Sequence, residues 1–497
     1  MTGQRAALPT HRALPTAEEL RLRTDHYVGG RWLVASQRFE VRSPIQWSHV
    51  LATVVRGDAA TVDAAIAAAR AAFPDWSRRT PDERGKHLDR LADLIEAEVE
   101  RIALVECVDV GMLYRSMRER LVYRAAMNYR FYAQVARQLE EPVWSTNGLW
   151  TRVVRQPAGP AAIIIPWNAP FMLATWKTAA ALAAGCTVVL KPPEWAPLSC
   201  CVLAELVEAA GFPPGVFNIV HGYGDEAGAA LVAHPGIRRI SFTGSTETGR
   251  LIGAQAGRNL VPYTAELGGK SPFIVFADTD LDAAARMAAN QYDDAGQICF
   301  AGTRLLVEEP IAELFLERFY QAVARHVLGD PRVPETTIAP LIHPEHLARV
   351  EGFVERAVRD GARILLGGRR AVEVGDLWYE PTLVAPRHNE QEIVQSEVFG
   401  PVLTFQVFRT EHEAIELANS TAYGLAAVVY TSSAERADRV ARQLRAGTVW
   451  VNTWAARDLQ APFGGIGASG LGREGGQWGI DFHSDLKAIQ WREECPR

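Results

Sequence analysis

Cysteine is scarce in this chain. The 497 residues hold six (Cys107, Cys186, Cys200, Cys201, Cys299 and Cys495), with no repeated spacing. A disulfide scaffold is therefore not expected, and a reducing compartment is the simpler setting. The adjacent pair Cys200-Cys201 has no second pair to complete a metal site and reads as core packing. Long apolar runs are also missing. A membrane helix needs about 20 apolar residues, whereas the most apolar run, Thr178 to Leu190, is shorter and holds Gly185. Met1 to Glu19 has no apolar h-region, so it does not read as a signal peptide, and the expected location is the cytoplasm. Excess positive charge is absent too. A net charge of −6 argues against a general nucleic-acid binder and gives no reason to expect a membrane surface as partner. The Gly244–Gly249 segment carries neither a full G-x-G-x-x-G fingerprint nor a Walker lysine. His343-Pro344-Glu345-His346 lacks H-E-x-x-H spacing, so no metal site is expected.

What remains is an ordinary globular composition, 48% apolar and 22% charged, long enough for roughly two to four domains. Helical patterns alternate with short apolar runs. Helices are expected at Ala59–Phe73, Pro81–Val108, Arg118–Leu139, Phe171–Ala184, Leu198–Ala210, Leu281–Gln291, Ile311–His326 and Glu345–Asp360, with Thr61 and Thr80 as N-caps of the first two. Strands are expected at Ala161–Ile165, Thr187–Leu190, Phe217–Val220, Arg239–Phe242, Ser271–Val275, Arg304–Val307, Val402–Phe408, Ala426–Tyr430 and Thr448–Asn452. This alternation predicts an α/β fold with largely parallel sheets. Pro142–Gln156 reads as a protruding hairpin and Asp485–Trp491 as a late strand.

Several strands end in loops rich in glycine, proline and polar residues: Pro166-Trp167-Asn168, Lys191-Pro192-Pro193-Glu194 and Gly244-Ser245-Thr246. In a parallel sheet such loops gather at the carboxyl edge, where open α/β folds bind ligands. Gly244 to Gly249 between a strand and a helix start could cradle a phosphate, and equally could be a plain turn. Lys191 and Glu194 could hold ribose hydroxyls; a carboxylate there would repel a 2′-phosphate. Asn168 could donate to an oxyanion or simply form a turn. Cys299, in Gly296-Gln297-Ile298-Cys299-Phe300, and Glu266, in Glu266-Leu267-Gly268-Gly269-Lys270, are the thiol and carboxylate that thioester chemistry requires.

Singly these motifs are weak. Their order is informative, with Glu397-Val398-Phe399-Gly400-Pro401 and Pro462-Phe463-Gly464-Gly465 completing it. From about His26 to Gln490 the series resembles the aldehyde dehydrogenase superfamily. The resemblance implies a Rossmann-like NAD-binding domain (residues 1–141 with 157–265), an α/β catalytic domain (266–465) and a β-stranded oligomerisation arm (142–156 with 485–497) in a homodimer or homotetramer. It implies Cys299 as nucleophile, Glu266 as the base for hydrolysis, Asn168 as oxyanion donor and Lys177 as support. Ile165, Pro166, Trp167, Lys191, Glu194, Gly244, Ser245, Gly249, Leu267, Glu397 and Phe399 match the cofactor site, NAD being favoured over NADP.

The substrate side departs from the common pattern. Ala169 replaces a frequent bulky aromatic and should widen the tunnel, which Trp176, Phe300 and Phe463 would line. Asp293 and Asp294 stand where an aromatic and an asparagine are often found. Arg457-Asp458-Leu459 resembles the branch that oxidises muconate-type semialdehydes, hydroxymuconic semialdehyde dehydrogenases among them. Arg457, with Arg120 or Arg124 near the tunnel mouth, could bind a carboxylate; alternatively Arg457 pairs with Asp458 or Asp293. Gln460 stands where that branch often has a second arginine, so an aromatic or monocarboxylate aldehyde also fits. Two other readings are a CoA-acylating semialdehyde dehydrogenase, against which Glu266 argues, and an inactive NAD-binding homologue.

Overall fold

A computed structural model describes residues 13–492. Its largest sheet has eight strands. Five are parallel, in the order Tyr263–Glu266, Arg239–Thr243, Ala161–Ile164, Val188–Lys191 and Phe217–Ile219. Arg239–Thr243, Ala161–Ile164 and Val188–Lys191 are buried along their whole length, as expected where helices cover both faces of a parallel sheet. Register sets Thr243 beside Glu266, and Ile164 beside both Phe242 and Lys191. The loops carrying Asn168, Lys191 to Glu194, Gly244-Ser245 and Glu266 therefore leave one edge together. The second sheet has seven strands around Pro272–Val275, Arg304–Glu308, Val402–Phe408 and Ala426–Tyr430, again parallel.

Val143–Thr146 and Leu149–Pro157 form an antiparallel hairpin, and Ser484–Trp491 pairs along the second of these strands. The hairpin turn is Asn147-Gly148, both left-handed (φ 52° and 75°), as a two-residue turn between right-twisted strands requires.

Local chemistry redraws several expected boundaries. Pro81–Val108 is two helices, Pro81–Ala97 and Val99–Val110, broken at Glu98 (φ −105°, ψ 19°). Thr80 caps the first with a reciprocal Glu83 contact, but Asp58, not Thr61, caps Ala59–Arg78; Thr61 is the donor. A π-helical turn, Met117–Leu121, precedes Val122–Gln138. Cys200 and Cys201 are buried, whereas Cys495 and both ends of the expected domain ranges lie outside the described residues.

The helices Pro170–Ala184 and Leu198–Ala209 begin at Ala169 and Pro197, which cannot cap with a side chain. The missing acceptors come from elsewhere. Glu106 accepts from the Phe171 N–H (3.3 Å) and Asp109 from the Leu198 N–H (2.8 Å). Both carboxyls lie on Val99–Val110 and are fully buried. Burial raises both pKa values, that of Glu106 from 4.5 to about 7. The fold therefore keeps a proton on Glu106 that the unfolded chain releases, so stability falls as pH rises through that window. Glu106→Gln should flatten this fall between about pH 5 and pH 8, read as thermal midpoints. Asp109→Ala leaves a buried N–H without a partner and should cost about 2 kcal/mol in denaturant titration.

Candidate active site

Cys299 follows an unusual stretch of backbone. Asp294, Ala295 and Gly296 are all left-handed (φ 49°, 54° and 69°). Gly296 is forced in this run, because a Cβ there would stand 2.2 Å from the Gly400 carbonyl oxygen. The run turns the chain after Leu281–Ala289 and delivers Cys299 partly exposed. Gln297 locks it, donating to the Asp294 carbonyl and accepting from the Ile342 N–H.

Two loops of the first sheet meet this segment. The Asn168 Nδ2 donates to the Gln297 carbonyl at 2.9 Å, which uses one amide hydrogen and leaves the other. The turn after Glu266 abuts the Cys299 loop: a Cβ on Gly269 would lie 2.5 Å from the Cys299 carbonyl oxygen. Glu266 itself is 6% exposed, and neither carboxyl oxygen has a hydrogen-bond partner among the described residues. Burial and the Glu474 charge push its pKa well up, against Lys177, Arg457 and Arg473. Burial, with the Glu397 and Glu266 charges, raises the Cys299 thiol to about 12, opposed by Arg457.

Lys177, two turns into Pro170–Ala184, is buried against Glu474 in an ion pair and donates to Ser241 Oγ (3.0 Å). Glu474 also accepts from Trp176 Nε1 (2.8 Å) and Ser241 Oγ (3.1 Å). Glu474 and Ser241 are participants the sequence does not reveal; a lone glutamate in a glycine-rich tail and a serine inside a strand carry no motif.

Along the same edge, the Lys191 ammonium pairs with Glu194 at 2.8 Å. Ile165 is buried beside Lys191, whose carbonyl accepts its N–H at 3.5 Å. Pro166 and Trp167 are partly exposed. Gly244 is partly exposed, and Ser245 caps the helix Thr246–Asn259 through the Thr248 N–H. Gly249 sits under Leu267: a Cβ on it would meet Leu267 Cδ2 at 2.6 Å. Across the cleft, Glu397 Oε1 accepts from the Gly269 N–H at 2.8 Å, and burial raises its pKa to about 7. Phe399, itself left-handed, meets Trp167 edge-on with centroids 5.4 Å apart.

The surroundings of Phe300 and Arg457, where the sequence places the substrate, are aromatic and cationic. Phe300 contacts Trp450, Trp454 and Phe463. The Arg457 guanidinium lies 3.7 Å from the Phe463 ring centre and 4.9 Å from that of Trp176, and Arg124 lies 5.9 Å from Trp176. Arg457 Nε is buried without a hydrogen-bond partner among the described residues. Arg124 Nε reaches only Asn128 Oδ1, at 3.4 Å, and burial with the Arg457 charge lowers its pKa to about 10. Neither guanidinium has a carboxylate within 4.0 Å among the described residues, so the expected alternative of an Arg457 pair with Asp458 or Asp293 is not formed. Arg120 is exposed, and its charge acts on Asp293 and Asp294. Ala169 is buried at the start of Pro170–Ala184.

Comparison with known proteins identifies the family and the fold. The profile of the Aldehyde dehydrogenase family matches residues 32–489. A relative, 2-hydroxymuconic semialdehyde dehydrogenase of Pseudomonas sp. (strain CF600), is 39% identical over 478 residues, 93% of this chain and 98% of that protein. HpcC from Thermus thermophilus superposes with a TM-score of 0.93 at 44% identity, covering 97% of this chain and 96% of that one. The NAD+ complex of an aldehyde dehydrogenase from Bacillus cereus gives a TM-score of 0.92 at 37% identity, with 95% and 97% covered. A cysteine delivered beside a buried carboxyl, on a chain that matches these proteins almost end to end, places this protein in the aldehyde dehydrogenase family, as an oxidoreductase acting on aldehydes.

Proposed function

We propose that this protein oxidises a bulky, carboxylate-bearing aldehyde to the acid, with NAD as hydride acceptor. The observation that carries the substrate class is the pair of guanidiniums, Arg457 and Arg124, flanking Trp176 with no carboxylate partner among the described residues. Two recessed like charges are costly unless something anionic joins them. A carboxylate on the substrate, whose chain packs against Phe300, Phe463 and Trp176, meets that need, and Ala169 leaves room for its bulk. The relative from Pseudomonas is named for a muconic semialdehyde, which is consistent.

The residues fit NAD. Lys191 and Glu194 offer a donor and an acceptor side by side, which suits two ribose hydroxyls, and the carboxylate disfavours a 2′-phosphate. Ser245 opens a helix whose free N–H groups suit a pyrophosphate. Glu397 and Phe399, with Ile165, Pro166 and Trp167, would hold the nicotinamide end. When bound, NAD supplies the hydride acceptor that no side chain provides.

The side chains supply the rest. Cys299 loses its proton and the thiolate adds to the aldehyde carbon. The remaining Asn168 N–H and the Cys299 backbone N–H stabilise the oxyanion of the thiohemiacetal. After oxidation the thioester is cleaved by water, and Glu266, whose pKa burial raises well above the usual carboxylate range, takes the proton. Lys177 holds Glu474 and the strand edge beside Glu266. The three-stranded sheet of the hairpin and Ser484–Trp491 exposes Val143, Trp144 and Leu486; we assign it, with the C-terminal residues, to oligomerisation, residues 1–141 and 157–265 to cofactor binding and 266–465 to catalysis.

Replacing Cys299 by Ser should lower NADH formation by at least about 10³-fold while NAD+ binding persists; surviving turnover would remove Cys299 as nucleophile. Arg457→Met should raise KM for a carboxylated aldehyde about tenfold and leave that for an uncharged aromatic aldehyde within about twofold. Equal effects on both would discard the carboxylate reading. With the thiol held up near 12, alkylation of Cys299 in the cofactor-free protein, followed by peptide mass spectrometry, should accelerate about tenfold per pH unit through about pH 9. A plateau below about pH 8 would contradict it.

A further inference from the structure

The loop Glu397–Pro401 is held from outside by one helix, Pro344–Arg359. Three consecutive carbonyls of the loop accept hydrogen bonds from two side chains one turn apart on that helix. Arg349 donates to the Glu397 carbonyl at 2.6 Å and, through its other terminal nitrogen, to the Val398 carbonyl. The His346 ring lies 2.7 Å, through Nε2, from the Phe399 carbonyl. A carbonyl only accepts, so Nε2 carries the hydrogen. Burial lowers the His346 pKa to about 4, which keeps the ring neutral in ordinary buffers.

The packing is equally close. A Cβ on Gly400 would meet Val350 of the same helix at 2.6 Å, and on the opposite side the Gly400 carbonyl presses on Gly296, three residues before Cys299. His346 also meets the Trp167 ring edge-on at 5.2 Å, and Arg349 lies over the Phe353 ring at 4.9 Å, which fixes its direction. The loop is left-handed at Phe399 (φ 62°). A bulky residue holds that conformation only where its surroundings impose it. The three hydrogen bonds and the two glycine contacts are what impose it here.

We propose that His346 and Arg349 are positioning residues for the cofactor. They clamp the backbone of Glu397 to Phe399 so that the Glu397 carboxylate and the Phe399 ring are already in place before NAD+ arrives. The proposal rests on the reading of Glu397 as a nicotinamide-ribose contact. It predicts a cost in cofactor binding and none in aldehyde binding, because neither side chain is placed among the aldehyde-side groups Arg457, Phe463, Trp176 and Phe300.

The test is steady-state kinetics on the full-length enzyme, with NAD+ and aldehyde varied separately. Arg349→Met should raise KM for NAD+ about tenfold, as expected for losing its two charge-assisted contacts to the loop, with KM for the aldehyde unchanged within about twofold. His346→Phe should act the same way, and His346→Gln, which restores an N–H donor, should recover most of the loss. A thermal midpoint for each variant separates clamping from general destabilisation. Glu397→Ala should raise KM for NAD+ by itself, and Arg349→Met added to it should change little further, because the clamp acts through the residue already removed. If Glu397→Ala alters KM for NAD+ and Arg349→Met and His346→Phe do not, the positioning proposal is overturned while the cofactor assignment stands. If Glu397→Ala itself has no effect, the cofactor assignment of that residue fails and takes the purpose of the clamp with it. Equal losses in His346→Gln and His346→Phe would also overturn the role given to the donor.

Discussion

One hydrogen bond joins the two halves of the chemistry. The Asn168 amide leaves the carboxyl edge of the first sheet and donates to the Gln297 carbonyl, two residues before Cys299. Everything else in the centre is arranged around that contact. The Cys299 loop is stiffened by a run of three left-handed residues, so the carbonyl Asn168 reaches stays where it is. The Glu266 turn approaches the same loop so closely that Gly269 has no room for a side chain. The Cys299 thiol, the Asn168 amide and the Glu266 carboxyl are thus brought together by backbone, and no long flexible side chain has to find its place.

The electrostatics of the centre are dominated by burial. Glu266, Glu397 and Cys299 are all held toward their neutral forms, and both carboxyls oppose ionisation of the thiol. At the thiol, Arg457 is the cation that works against this; Lys177 and Arg473 join it at Glu266, and Arg349 and Lys270 act at Glu397. Under the proposed function Arg457 has two parts to play, as an anchor for an anionic substrate and as a source of positive potential where a thiolate must form. An arginine suits both because its flat guanidinium can lie on Phe463 and Trp176 and still present its donors.

Much of the centre is legible in the sequence because its chemistry is carried by turns. Glycine, proline and polar residues at strand ends mark loops, and a parallel sheet collects loops at one edge; the grouping of the Asn168, Lys191 and Ser245 loops follows from that rule, whereas the parts expected of these residues and of Glu266 come from the ordered motifs of the family resemblance. What stays hidden depends on tertiary contact. Glu474 and Ser241 gain meaning only once Lys177 is packed between them. His343 to His346, whose spacing excludes a metal motif, starts the helix that holds Phe399. The break at Glu98 leaves no mark because the helical pattern on either side continues in phase. Arg120 and Arg124 lie one turn apart and cannot be distinguished by pattern; in the fold Arg124 faces Trp176 and Arg120 acts on the two aspartates.

The remote caps on the two central helices bear on how far this fold can be treated as a set of parts. Glu106 and Asp109 stand well before Pro170–Ala184 and Leu198–Ala209 in the chain, yet they complete both. A chimaera that imports residues 157–210 from a relative separates Asn168, Trp176 and Lys177 from the acids that begin their helix. The smallest exchangeable unit therefore runs back through Val99–Val110, and recombination between family members will tolerate crossovers ahead of that helix better than crossovers behind it.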